Sequence, residues 1–236
     1  MKTIGLLGGM SWESSIEYER MINEAVRERL GGVHSADLII RSYDFARIEA
    51  LQAADDWGTA GDLLARDAVM LERAGAGLVV LCTNTMHRVA DRIESAIGVP
   101  FLHVADATAD AIARAHVGSV ALLGTRYTME QDFLRSRLAA RGLEVIVPEE
   151  PDRTTVHDVI YGELVRGIVR AESKARCLDV IGRLLDRGAR GVIAGCTEIE
   201  LLVSADDLDV PYFPTAAIHA AAAVDSALDH GDVGAA

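Results

Sequence analysis

Only three of the 236 residues are cysteine, at positions 82, 177 and 196. Their spacing fits neither a metal-ligand pattern nor a disulfide framework, so a reducing, cytoplasmic location is expected and no metal. Aromatic residues are scarce as well, at 5%. No apolar run approaches the ~18–20 residues that a membrane span needs, which argues against membrane insertion. The opening MKTIGLLGGM has too short an apolar part and too much glycine for a signal peptide, and reads instead as a first strand. Basic residues are outnumbered 23 to 36, giving a net charge of −13. They form no cluster and do not interleave with aromatics, so nucleic acid is not an expected partner. A small anionic ligand remains compatible if arginines or backbone N–H groups are placed locally.

What the chain does have is alternation. Short apolar runs bounded by glycine or proline predict strands at Thr3–Leu7, Leu38–Tyr43, Gly77–Cys82, Phe101–Val104, Ser119–Leu123, Leu143–Val147 and Val192–Gly195. Helical patterns lie between them. Ser14 with Glu17 reads as a capping box opening a helix that runs to Leu30. Residues 59–74 put Ala60, Leu63, Leu64, Ala68 and Leu71 on one face, with Asp67 intruding on it. Further helices are predicted at 85–97, Thr155–Val169, Glu172–Arg187 and Thr215–Leu228. Strand–helix alternation implies parallel sheets covered on both faces.

The chain also repeats itself. IGLLGG (Ile4–Gly9) resembles VALLGT (Val120–Thr125), and GLVVLCT (Gly77–Thr83) resembles GVIAGCT (Gly191–Thr197) at nearly the same offset. Two homologous α/β halves follow, expected as residues 1–99 plus 212–236 and residues 100–211. In open α/β sheets ligands sit at the carboxyl ends of strands, where both repeated phrases lie. Two halves facing each other would put the phrases on opposite walls of one cleft.

Each phrase carries a cysteine. Cys196 follows a strand, and Thr197–Glu198 can open a short helix, whose N-terminus would lower the thiol pKa and favour the nucleophilic, basic thiolate. The plainer reading is a buried strand-end cysteine. Cys177 sits mid-helix and faces the core. Strand alternation points Cys82 and Thr83 opposite ways, so only one of them can face the cleft.

The strings GLLGGMSWESS (Gly5–Ser15), CTNTMH (Cys82–His87) and GCTEI (Gly195–Ile199) resemble the aspartate/glutamate racemase family, which works without pyridoxal phosphate. DFARIEALQ, IYGELVRG and IHA agree in order and spacing, so the resemblance covers essentially the whole chain. It implies two pseudo-symmetric α/β halves and a cofactor-independent two-base racemase, in which one residue removes the Cα proton and another donates to the opposite face. Many members have two cysteines there. In this chain the residue before Asn84 is Thr83, so the implied pair is Thr83 and Cys196, as in a branch resembling the broad-specificity bacterial amino-acid racemases, and Cys82 is a packed strand-end residue. In the family the second-half cysteine faces the Cα proton of the L-enantiomer.

The resemblance further implies that Gly8, Gly9, Met10, Ser11, Asn84, Thr85, Thr125 and Thr197 offer donors to the substrate α-carboxylate. Arg166 and Arg47 would hold a distal carboxylate. His87 would orient the first loop and His219 would support the site. A homodimer is the implied assembly. Pro214 departs from the family pattern, which usually has Asp there. The rival readings are a related single-thiol enzyme (hydantoin racemase, maleate isomerase or arylmalonate decarboxylase) and a non-catalytic amino-acid-binding protein, which would have no need of the Cys196 thiol.

Overall fold

The computed structural model describes residues 1–229. Residues 230–236, the tail of the segment expected to return to the first half, lie outside the described residues. The first sheet holds β1 (Ile4–Gly8), β2 (Leu38–Ser42), β3 (Leu78–Leu81) and β4 (Phe101–Leu102) in the order β2-β1-β3-β4. The second holds β5 (Ser119–Gly124), β6 (Glu144–Ile146), β7 (Val192–Gly195) and β8 (Tyr212–Pro214) in the order β6-β5-β7-β8. Every pairing in both sheets is parallel. The two orders are the same, which is the origin of the sequence repeat: β1 and β5 are equivalent strands, and so are β3 and β7. The helices are α1 (Trp12–Leu30), α2 (Phe45–Ala53), α3 (Trp57–Arg73), α4 (Ala90–Glu94), α5 (Val104–Arg114), α6 (Arg126–Glu130), α7 (Asp132–Ala139), α8 (Asp152–Gly162), α9 (Ala171–Asp186), α10 (Thr197–Leu202) and α11 (Thr215–Leu228).

Several boundaries differ from expectation, each for a local reason. Helix α1 starts at Trp12, because Ser11 caps it by accepting from the Ser14 amide at 3.4 Å; Ser14 is therefore inside the helix. The helix expected over 85–97 begins as a 3-10 turn (Thr85–Val89) and becomes α-helical only at Ala90. The one expected from Thr155 to Val169 stops at Gly162, and a 3-10 turn (Leu164–Arg166) closed by left-handed Gly167 follows. Strand β8 was not foreseen, since it contains Pro214; proline is tolerated there because β8 is an edge strand.

The chain divides into two compact units. One comprises residues 1–82, 89–103 and 219 onward; the other comprises 83–88 and 104–218. The expected split near residue 100 therefore moves to after His103, because β4 pairs with β3 in the first sheet. The return to the first unit begins at His219 and not at Tyr212, because β8 pairs with β7 in the second sheet. Within the first unit that return is fixed by Lys2 N–H donating to Ala227 O at 2.9 Å and by an Arg29–Asp225 ion pair.

The second sheet is buried on both faces, and strand alternation sorts its side chains. Ala121, Leu123, Val192 and Ala194 pack with Val156, Ile160, Cys177, Ile181 and Leu184 from α8 and α9. Val120, Leu122 and Ile193 pack with Ile112, Leu134 and Leu138 from α5 and α7. In the first unit, the intruding Asp67 of α3 is buried but well supplied with donors: Tyr43 Oη at 2.8 Å, Arg41 Nε at 3.0 Å and Arg66 Nε at 2.9 Å. Against the burial penalty, these donors hold its carboxyl below the ordinary range. A buried charge met by this many partners is a structural tie.

Candidate functional site

The two repeated phrases begin where β3 and β7 end. Residues 83–88 leave β3 and join the second compact unit, so Thr83, Asn84, Thr85, His87, Thr125, Arg166, Cys196 and Thr197 all belong to one unit. Met10, Ser11, Arg47 and His219 belong to the other.

A chain of hydrogen bonds ties the first phrase to β7. Thr215 Oγ1 donates to Ala194 O at 2.7 Å, two residues before Cys196, and Asn84 Nδ2 donates to Thr215 Oγ1 at 2.9 Å. The single hydroxyl proton of Thr215 is used on Ala194, so its oxygen must accept from Asn84. This fixes the amide: Nδ2 faces Thr215 and Oδ1 faces away. Asn84 is 4% exposed, and its Oδ1 is buried with no hydrogen-bond partner. Buried acceptors without donors are uncommon in native proteins. One Nδ2 hydrogen is used on Thr215, and beyond the donor role expected of it this side chain offers a buried acceptor.

The hydroxyls of Thr85 and Thr125 are 3.0 Å apart, and Thr125 also meets the Thr128 hydroxyl at 3.1 Å. Thr125 follows Gly124 at the end of β5 and caps α6, accepting from the Thr128 amide. Gly124 pairs with Gly195. A Cβ on Gly195 would come within 2.6 Å of Leu122 Cδ1 and 2.8 Å of Leu123 O, so only glycine lets these strand ends approach.

His87 is buried and neutral in its bonding pattern. Its Nε2 accepts from the Val104 amide at the start of α5, at 3.2 Å, so Nδ1 must carry the proton and donate to Thr83 O at 2.7 Å. The imidazole thus holds the Thr83 backbone. No base hydrogen-bonds the Thr83 hydroxyl among the described residues. Cys82 is fully buried, its amide donating to Leu7 O at 2.9 Å, and burial pushes its thiol far up. Burial also raises the core-facing Cys177, to about 11.

Cys196 stands just before α10, 7% exposed, and its Sγ donates to Glu198 Oε2 at 2.7 Å. Burial, then the Glu198 charge, push its thiol well above the ordinary range; the backbone N–H groups of Glu198 and Ile199 act in the opposite sense and are outweighed. The expectation that a helix start makes this thiol easily ionised is therefore corrected, because burial, joined by the carboxylate that the helix brings with it, outweighs the helix N–H groups. Glu198 belongs to the GCTEI motif, and only its contact with the thiol marks it as a site residue. Glu200 caps α11 by accepting from the Ala216 amide at 2.7 Å. Thr197 opens α10 and is buried.

Arg166 is exposed, and the 3-10 turn that carries it packs against α10. Its backbone N–H donates to Glu163 O at 3.0 Å, and its guanidinium makes no hydrogen bond or ion pair among the described residues. Arg47 is exposed on α2. In the Gly8–Ser11 loop, the Gly9 amide already donates to Ser15 Oγ at 2.6 Å and so is not available to a ligand, contrary to expectation. Ser11 and Met10 are buried there.

His219 is fully buried: Nε2–H donates to Leu102 O at 2.9 Å and Nδ1 accepts from Tyr18 Oη at 3.0 Å. Burial lowers its pKa from 6.5 to about 4. Since the unfolded chain takes up this proton first, stability should hold above pH 6.5 and fall between pH 6.5 and 4, by on the order of 3 kcal/mol. Urea midpoints measured across that range should show the slope in the wild type and a flatter one in His219→Gln.

The sequence matches the Asp/Glu/hydantoin racemase family over residues 7–223. A protein from Yersinia pestis, provisionally assigned as an Asp/Glu racemase, is 55% identical, with a TM-score of 0.91 over 97% of this chain and 100% of that one. An aspartate racemase homologue from Pyrococcus horikoshii OT3 is 34% identical, with a TM-score of 0.84 over 96% and 99%. The broad specificity amino-acid racemase RacX of Bacillus subtilis is 34% identical over 79 residues, which is 34% of each chain.

Proposed function

The chain belongs to the Asp/Glu/hydantoin racemase family, and from that premise we propose that it is a racemase of a small acidic amino acid, aspartate or glutamate, working at Cα without a cofactor. In this reading Cys196 faces the Cα proton on one side of the substrate and Thr83 faces the other. The electron pair left by proton removal is delocalised into the α-carboxylate, which hydroxyls of Thr85, Thr125 and Thr197 receive. Arg166 receives the distal carboxylate; charged hydrogen bonds of that kind contribute roughly 1.5–3 kcal/mol.

The observation that carries the reading is Asn84. Its buried Oδ1 needs a donor, the α-ammonium of an amino acid supplies one, and the residue before it is Thr83. The hydrogen-bond chain through Thr215 links this loop to the strand that leads into Cys196. A carboxylate-binding protein with no chemistry to perform has no use for a buried thiol at that point.

The test is Cα-deuterium exchange followed by NMR in D₂O, on protein dialysed against chelator with nothing added back. Aspartate or glutamate should lose the Cα–H signal faster than neutral amino acids or a 5-substituted hydantoin. Exchange of the hydantoin alone would overturn the substrate class. Binding without exchange of any substrate would identify a non-catalytic protein.

A further inference from the structure

We propose that Glu198 is the proton-accepting partner of Cys196: its carboxylate takes the thiol proton as the sulfur takes the proton from Cα. The proposal rests on the reading of Cys196 as the base on one face of the substrate. Its foundation is geometric. Sγ and Oε2 are 2.7 Å apart, and the two residues are 7% and 5% exposed. They lie two positions apart across the start of α10, so the local chain itself sets the contact.

A bystander carboxylate here would weaken the base. Placing a second negative charge against a buried thiolate disfavours the thiolate, which is the direction the Cys196 thiol takes. The arrangement becomes productive when the two groups hold one proton between them. In the resting pair the thiol is protonated, it donates to the carboxylate, and the pair carries one negative charge. When the Cα–H bond breaks, that proton forms a new S–H bond. The former thiol proton moves to Oε2, and the electron pair stays on Cα, delocalised into the substrate α-carboxylate. The pair ends neutral, as thiol and carboxylic acid. Return of the proton from sulfur to Cα reverses each transfer. No separate thiolate has to accumulate. Glu198 acts only through Cys196 and is therefore a positioning residue with a proton-holding role.

Two readouts on the full chain test this. One is Cα-deuterium exchange of L-aspartate and L-glutamate. The other is the iodoacetamide alkylation rate of Cys196 against pH, located by peptide mass spectrometry. Glu198→Gln keeps the size and can accept the thiol hydrogen bond, but removes the charge and cannot take the proton. Cys196 should then alkylate faster near neutral pH, while exchange falls by about a hundredfold or more. Glu198→Asp should recover part of the exchange. More thiolate with less catalysis is the signature of the relay. Exchange that is unchanged or faster in Glu198→Gln, with Cys196→Ser inactive in the same assay, would overturn the relay and leave the parent reading intact. An active Cys196→Ser would instead overturn the parent reading. Should Glu198→Gln not fold, Glu198→Asp carries the test: a carboxylate set back by one methylene must lower kcat with KM little changed, and an unaltered kcat overturns the proposal.

Discussion

Cys196→Ser should cut Cα exchange of the acidic amino acid by about a thousandfold or more, with little change in KM. A positioned acid–base group contributes typically 10²–10⁴-fold. A thiol ionises near 8.5 when free, whereas an unassisted hydroxyl does not ionise in the usable range. The serine would still satisfy Glu198, since an O–H can donate where the S–H did at 2.7 Å. That buried carboxylate keeps its partner, so the thermal midpoint should stay within a few degrees of wild type. The proposed contacts to the substrate carboxylates and ammonium come from other residues, which is why the loss should fall on kcat. Full activity in Cys196→Ser would remove this thiol from the chemistry. Cys82 would be a poor replacement: it is fully buried, with nothing but burial acting on its thiol.

How far the sequence could lead is clearest at particular positions. Central strands such as β1 and β7 were legible because both faces are covered, which writes them as unbroken apolar runs. Strand β8 was not, because Pro214 argues against a strand unless its edge position is known. Helix α3 was legible by its stripe, and Asp67 looked like a flaw in it because two of its three partners, Arg41 and Tyr43, are distant in the chain. The motifs located Thr83, Asn84 and Cys196 but not their protonation or polarity. That Asn84 presents an acceptor depends on Thr215, 131 residues away. That the Cys196 thiol is pushed up and not down depends first on its burial and then on the Glu198 carboxylate turned toward it, and the motif states neither. Local pattern set the elements, whereas hydrogen-bond direction depended on pairs that only folding brings together.

The largest asymmetry should appear between enantiomers. The wild type should exchange the Cα–H of L-aspartate or L-glutamate readily and that of the D-enantiomer slowly. Cys196, which by family resemblance faces the L-enantiomer's proton, has a carboxylate 2.7 Å away to receive its own. The Thr83 hydroxyl has no such partner among the described residues; the imidazole nearest to it in sequence, His87, is engaged with the Thr83 carbonyl and the Val104 amide. A hydroxyl without a base removes protons poorly at neutral pH. Racemisation has an equilibrium constant of one, so slow removal from the D side must be matched by slow delivery from the Thr83 side. The enzyme is then mainly an exchanger of L substrate that inverts it occasionally. Thr83→Cys should raise D-enantiomer exchange by roughly a hundredfold, the lower range of what a positioned base contributes. The substitution removes one methyl and replaces oxygen with sulfur at a position already 8% exposed, so little repacking is required. L exchange should change little, because Cys196 and Glu198 are untouched. Following both enantiomers by NMR in D₂O, in wild type and Thr83→Cys, decides the matter: equal rates for D and L in the wild type, or no gain for D in the variant, would show that Thr83 is not the group opposite Cys196.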